Sequence, residues 1–290
     1  MKKQWCFSVI SRCLVIIACC LFFVNNVVLA ACGELQTVTS EISQGNADEV
    51  RTEIEMGAGE LIIMNGAESL MNAEFTFNVN KFEPTVEFDV TDSMGLLSVK
   101  PSFKLRFGDL RGCLQPKNKW DIKLNNEVPM DLNVELGAGD AILNLSDLIL
   151  TNLDVEIGVG DVDIDISGND SINSFDVEVG VGDVVIDLSN TSLVAFDLEF
   201  GAGDLDIDFT GDRENDLMAS LEVGVGDVDL ELPTDIGVKV VPMRGIVPVN
   251  APDFRRDGNA FINGAFGQAD VNIVIEIEMG VGEITLELKE

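Results

Sequence analysis

The chain has 290 residues, 46% of them apolar, and sets 51 acidic residues against 18 basic ones for a formal net charge of -33. It contains no His and no Tyr, so the side chain most often recruited for proton transfer near neutral pH is missing. Phosphate backbones repel such a protein, which excludes nucleic acid as a partner. So large an apolar fraction, regularly alternating, places the charge on an ordered surface.

The first element is an export signal over residues 1–31. Lys2, Lys3 and Arg12 form a basic n-region before CLVIIACCLFFVNNVVLAA, and Asn25 and Asn26 split the apolar run, which argues against a membrane span. The segment ends in Leu29-Ala30-Ala31-Cys32, similar to the lipobox of bacterial lipoproteins, in which the Cys is acylated and becomes the N-terminus. Lipidation at Cys32 is therefore the expectation. Gly33, where Asp would retain the protein at the inner membrane of a diderm, then favours the outer membrane. The competing reading is cleavage after Ala30. Cys6, Cys13, Cys19 and Cys20 leave with the signal, and only Cys32 and Cys113 remain. Either Cys32 is lipidated and Cys113 is a lone buried thiol, or the two pair in an oxidising compartment.

Residues 32–38 read as a short tether, and 39–290 as a β-repeat domain. Alternating runs follow in order: EVRTEIEM before Gly57, then AEFTFNV, TVEFDV and WDIKL. A non-repeating segment near 103–119 holds Lys104, Arg106, Arg111, Lys117 and Lys119. It is either a solvated loop that neutralises neighbouring acids or a contact for an anionic envelope polymer. Next comes the unit Gly-(Ala/Val)-Gly-Asp, beginning at Gly137, Gly158, Gly180, Gly201 and Gly224 in steps of 21, 22, 21 and 23 residues. A degenerate copy falls at Gly245 and a last one at Gly280. Between them, residues 252–267 place Phe254, Phe261 and Phe266 among Gly and Asn, either as a cap on the core or as an aromatic docking patch.

In one unit, Leu153, Val155, Ile157 and Val159 share a face, with Asp154 and Glu156 opposite. Past the glycines the phase flips to apolar Val162, Ile164 and Ile166 and acidic Asp161, Asp163 and Asp165. A strand changes faces only at a bend or bulge, and Gly permits the backbone angles required. The motif is thus a corner, with the break at Gly160-Asp161. A dinucleotide loop needs a third Gly and a following helix, and a Walker loop needs Gly-Lys-Ser/Thr; neither pattern is present. Calcium-binding nonapeptide repeats return every nine residues, not every 21 to 23.

Stacking the units predicts a buried ladder of Leu136, Ile157, Val179, Phe200, Val223 and Met279. It also predicts two outward columns, Asp140, Asp161, Asp183, Asp204, Asp227 and Glu283, and Asn144, Asp165, Asp187, Asp208 and Glu231. Carboxylates one strand apart, ~4.8 Å, repel by roughly 0.9 kcal/mol per pair even in bulk water. The acids either serve solubility and discourage edge pairing, or form a surface that responds to a divalent cation or a polycation.

Four blocks, ADEVRTEIEMGAGELII, NKWDIKLNNEVPMDLNVELGAGDAILNLSDL, the Gly-x-Gly-Asp ladder and APDFRRDGNAFINGAFGQADVNIVIEIEMGVGEITLEL, resemble a toast-rack domain. This is the β-repeat domain of cell-wall-active antibiotics response proteins and related bacterial envelope proteins. The resemblance runs from about Val38 to Glu290. It implies a stacked β architecture outside the membrane, in a family tied to envelope-stress sensing and without established catalysis. Relatives often carry a membrane segment that couples them to a signalling kinase, which a chain with only a leader lacks.

The expected fold is an all-β repeat solenoid, parallel β-helix-like, with a β-sandwich as the alternative. The expected function is a non-enzymatic bacterial cell-envelope lipoprotein, a binding or envelope-stress-sensing module. The alternative is a structural or adhesin-like scaffold. A polysaccharide-active enzyme needs one singular pair of acids, whereas these repeat coil after coil. No catalytic residue or cofactor is assigned, and a divalent cation is the one ion the columns suggest. Partners would be an envelope component or a cationic peptide, and the membrane through the lipid anchor. Location would be the envelope or the periplasm.

Overall fold

The computed structural model describes residues 32–102, 113–244 and 247–290. The export signal, Lys104, Arg106 and Arg111 of the basic segment, and Gly245 lie outside the described residues.

Strands dominate the described chain. The N-terminal part holds β1 (Gln36–Ile42), β2 (Glu49–Met56), β3 (Glu60–Met64), β4 (Met71–Phe77), β5 (Pro84–Thr91), β6 (Met94–Pro101) and β7 (Asn118–Leu124). The repeats supply β8 (Met130–Ala138), β9 (Ala141–Asn144), β10 (Leu150–Val159), β11 (Val162–Asp165), β12 (Ser174–Val181), β13 (Val184–Asp187), β14 (Ala195–Ala202) and β15 (Leu205–Asp208). The C-terminal part holds β16 (Leu217–Pro233), β17 (Gly237–Arg244), β18 (Val249–Asn250), β19 (Arg255–Asp257), β20 (Ala260–Ile262) and β21 (Asn272–Lys289).

Each coil is a longer strand, a glycine corner and a shorter strand. The longer strands stack in parallel as β2–β8–β10–β12–β14–β16–β21–β17, forming one face. The shorter strands stack as β3–β9–β11–β13–β15, continuing through the second halves of β16 and β21 to β18. Two faces enclosing one core give the solenoid expected from the alternation. Among the described residues, hairpin-like antiparallel pairing, the signature of the sandwich alternative, occurs only at the two ends.

The predicted buried ladder is in register, with Leu136 beside Ile157, then Val179, Phe200, Val223 and Met279, all nearly fully enclosed. Met56 extends it at the N-terminal end. In β10 the alternation holds through Ile157, but Val159, expected on the same buried face, is 54% exposed. Parallel pairing runs on through Val159, but burial stops at Ile157, so Gly158 and Val159 both face solvent ahead of the positive-φ turn at Gly160. Val159 therefore rides on the outside of the bend, and Val162, Ile164 and Ile166 re-enter the core.

Stacking also explains why both glycines are needed. Gly160 has φ +148°, and a Cβ there would overlap the carbonyl of Gly139 one coil below; a Cβ on Gly158 would overlap the carbonyl of Gly137. The corners touch backbone to backbone, stitched by Gly139 N–H to Val159 O at 2.8 Å and Gly160 N–H to Val181 O at 2.9 Å. The third edge, where the chain returns between coils, is sealed by small polar side chains turned inward. Asn169 Nδ2 donates to Leu148 O one coil away at 2.6 Å, and Thr191 Oγ1 donates to Leu188 O at 2.9 Å.

At both ends, order in space departs from order in the chain. The β6 and β7 coil lies outside β2 and β3, so the first coil made is flanked on both sides. This end is closed by β5 on β6, β4 on β7 and β1 on β4, with Phe75 edge-on to Trp120 at 5.4 Å. At the other end β21 slots between β16 and β17. Residues 252–267 form the cap: β20 pairs with β17 and β19, Phe261 is buried, and Phe254 packs against the core. Arg256 lies over the Phe261 ring at 4.7 Å, and Asn263 bonds Val238 N, Pro233 O, Ile236 O and Phe266 N.

Cys32 and Cys113 are joined by a disulfide, with Cα atoms 4.6 Å apart. A thioether to a lipid needs the same sulfur. The pairing is thus one of the two fates the sequence leaves open at Cys32, and the two fates compete for one sulfur.

Candidate binding surface

The outward positions form columns one coil apart, and each column repeats one chemistry. At the corner run Asp140, Asp161, Asp183, Asp204, Asp227 and Glu283, as expected. Each Asp carboxylate accepts the backbone N–H of the acid one coil on: Asp161 N to Asp140 Oδ1 at 3.5 Å, Asp183 N to Asp161 at 3.1 Å, Asp204 N to Asp183 at 3.2 Å, Asp227 N to Asp204 at 3.4 Å and Glu283 N to Asp227 at 3.1 Å. The column is a hydrogen-bonded spine as well as a charged surface. A charged acceptor makes the stronger kind of hydrogen bond, which offsets part of the repulsion.

The second expected column, Asn144, Asp165, Asp187, Asp208 and Glu231, is also in register. Its aspartates close turns: Asp165 accepts from Ser167 N at 2.9 Å, Asp187 from Ser189 N at 2.8 Å and Asp208 from Thr210 N at 2.7 Å. Local bonds of this kind are what Asp supplies where a chain leaves a strand.

A third column was overlooked in the sequence, although its signal is plain: a Glu stands two residues before the first glycine of almost every unit. Glu55, Glu135, Glu156, Glu178, Glu199, Glu222 and Glu278 stand side by side. Burial first, then Glu55 and Glu156, holds the Glu135 carboxyl above the usual range, with Lys100 opposing. Asp176 is raised by burial and then by Asp197 and Asp154. Asp206 is raised by burial and then by Asp229 and Asp204.

Basic side chains gather at the ends of the stack. Arg51 meets Asp131 at 3.0 Å, Lys100 meets Glu53 at 2.7 Å, Lys119 meets Glu60 at 3.1 Å, and Lys289 reaches Glu287 at 2.9 Å and Glu231 at 3.5 Å. Residues 124–212 contain no Lys or Arg, so the middle coils are acidic without internal relief. Arg213, which follows, is turned inward and buried, and burial lowers its pKa to about 10. Its Nη2 donates to Leu188 O at 3.4 Å, while Nε and Nη1 have no partner among the described residues. No sequence signal marks that residue as internal.

Between the glutamate column and the corner lies a groove of about 660 Å³ floored by Gly180, Gly201, Gly224 and Gly280. One residue beyond these glycines in each coil runs a row of exposed residues between the paired glycines. Val159, Val181, Ala202, Val225 and Val281 are in register, and the valines are half or more exposed. The acids are spread evenly down the coils, and among the described residues no three or more Cys, Asp or Glu converge to hold a metal ion. The surface is suited to an elongated partner that meets many coils at once.

The family model for the N-terminal domain of toast_rack, DUF2154, matches residues 31–179 and 172–231. A search of curated proteins finds no match. Among solved structures, a candidate cell adhesion protein from Clostridium sporogenes ATCC 15579 is 24% identical, with 88% of this chain and 100% of that chain covered and a TM-score of 0.48. A candidate adhesin from Bacteroides fragilis NCTC 9343 is 16% identical, with coverage of 89% and 99% and a TM-score of 0.38. A candidate lipid binding protein from Parabacteroides distasonis ATCC 8503 is 13% identical, with coverage of 88% and 98% and a TM-score of 0.36.

Proposed function

The chain belongs to the family of the toast_rack N-terminal domain, DUF2154, and on that premise we propose that it is an exported, non-enzymatic binding module of the bacterial cell envelope that captures polycationic partners on its acidic coils. The observation that carries this reading is the run of middle coils with three acidic columns and no Lys or Arg from 124 to 212. Repetition argues against catalysis: a hydrolase sets one pair of carboxyls apart by environment, whereas here each carboxylate has near-copies above and below. An envelope-stress-sensing role would use the same capture as its input.

The test is fluorescence anisotropy with a labelled oligolysine and the mature protein. Binding at low salt that weakens by roughly tenfold or more toward physiological ionic strength, as screened surface charge requires, supports the proposal. No binding at low salt, or hydrolysis of envelope polysaccharide by the purified protein, overturns it. An adhesin-like scaffold would instead hold its partner at the β19–β20 cap, and crosslinks mapping there would favour that reading.

A further inference from the structure

The corner carries a pattern that charge alone does not explain. An apolar row, Val159, Val181, Ala202, Val225 and Val281, stands proud of the surface, with the valines 50–65% exposed. On one side, across the glycine-floored groove, runs Glu156, Glu178, Glu199, Glu222 and Glu278. On the other runs Asp161, Asp183, Asp204, Asp227 and Glu283. Soluble proteins seldom expose apolar side chains in a continuous line, and solubility would be served as well by Ser or Thr between the glycines. No ion pair among the described residues occupies Glu156, Glu178, Glu199 or Glu222. Val179, Phe200, Val223 and Met279 line the groove but are almost fully buried, so the valine row is the exposed apolar strip.

We propose that this corner is a docking site for a basic amphipathic helix laid along the solenoid axis. Its apolar stripe would rest on the valine row, and Lys or Arg on both margins would meet the two acidic rows. This deepens the polycation reading above and rests on it. Complementarity identifies the partner: apolar centre against apolar centre, and positive margins against negative ones.

Spacing favours a helix over an extended chain. Coils repeat every ~4.8 Å and a helix turns every ~5.4 Å, a mismatch of ~0.6 Å per turn. Over the five coils from Val159 to Val281, ~19 Å long, the drift stays near 2 Å, within reach of flexible Lys and Arg stems. A strand presents same-side residues every ~6.7 Å and loses register within two coils. The matching helix is about 13 residues long.

The experiment compares two synthetic peptides of about 14 residues binding to the mature protein. One is a Leu/Lys helix with a single Leu stripe flanked by Lys; the other has the same composition in scrambled order. The ordered peptide should bind about tenfold more tightly, the gain expected where an apolar face finds a complementary strip. Val181→Lys with Val225→Lys should remove about tenfold of that affinity, and Val181→Thr with Val225→Thr, which keeps shape and charge, should weaken it about threefold. Asp163→Asn with Asp206→Asn and Asp229→Asn, on the other face, should leave it unchanged. Urea midpoints close to the parent's establish that the variants are folded. Equal binding of the two peptides, or indifference to both ridge variants, overturns this inference while leaving the polycation reading intact. Failure of both peptides to bind overturns that reading as well.

Discussion

Gly160→Ala tests whether the corners are held by close backbone stacking or only by a permissive bend. The substitution places a Cβ at φ +148°, which costs ~1–3 kcal/mol for a residue with a side chain. The same Cβ overlaps the Gly139 carbonyl one coil below, and backbone cannot swing aside as a side chain does. Pushing the coils apart adds ~1–3 kcal/mol, so a total near 4 kcal/mol is expected. Gly168 is the internal control: its φ is +69° and nothing lies within 4 Å of its Cβ position, so Gly168→Ala incurs only the left-handed cost of ~1–2 kcal/mol. In urea unfolding followed by circular dichroism, with a slope of about 3 kcal/mol per molar, Gly160→Ala should lower the midpoint by more than ~1 M and Gly168→Ala by about 0.5 M. If the two midpoints fall by similar amounts, the stacking contribution is absent and the corner is only a bend.

Asp183→Asn keeps an acceptor for Asp204 N–H while removing a charge, so it should be neutral or slightly stabilising; Asp183→Ala loses the bond and should cost ~1 kcal/mol, read from the same urea curves. Glu135, Asp176 and Asp206 have raised carboxyl pKa values in the fold. Their contribution to stability is therefore full below the unfolded carboxylate pKa of about 4 and is lost as pH rises through the folded values. The part of the urea midpoint's pH dependence due to these groups should accordingly be a rise as pH is lowered toward the unfolded value of about 4, and that rise should shrink in Glu135→Gln/Asp176→Asn/Asp206→Asn. Mass spectrometry of the mature protein should find Cys32 linked to Cys113; a diacylated Cys32 with a free Cys113 thiol would refute the pairing.

The corners, the inward ladder and two of the acidic columns were legible in the sequence because a strand's side chains alternate strictly and the unit repeats. One unit, read correctly, predicts the rest. Alternation places Val159 inside, but burial ends at Ile157 and resumes at Val162, so the corner takes up the whole stretch from Gly158 to Asp161 rather than one step. The glutamate column is equally periodic in the sequence, but it lies on the strand side of the corner, where an outward acid is also what simple alternation requires. The flanked positions of β2 and β21 leave no mark in local pattern: which coil lies beside which is decided by long-range closure of the ends. The inward turn of Arg213 is equally silent, because its loop reads as polar and solvated.

The placement of β21 has a consequence for the order in which the stack can close. Its eighteen residues, Asn272–Lys289, follow both β16 and β17 in the chain, yet their berth is between those two strands. Until the tail arrives, β16 must hold one edge unsatisfied and β17 must wait without its parallel neighbour. Pairing those two directly would shut out the closing strand and trap a shortened stack. Closure of this end therefore waits on β21, and a chain clipped before residue 272 leaves a long sticky edge for proteases and chaperones to find.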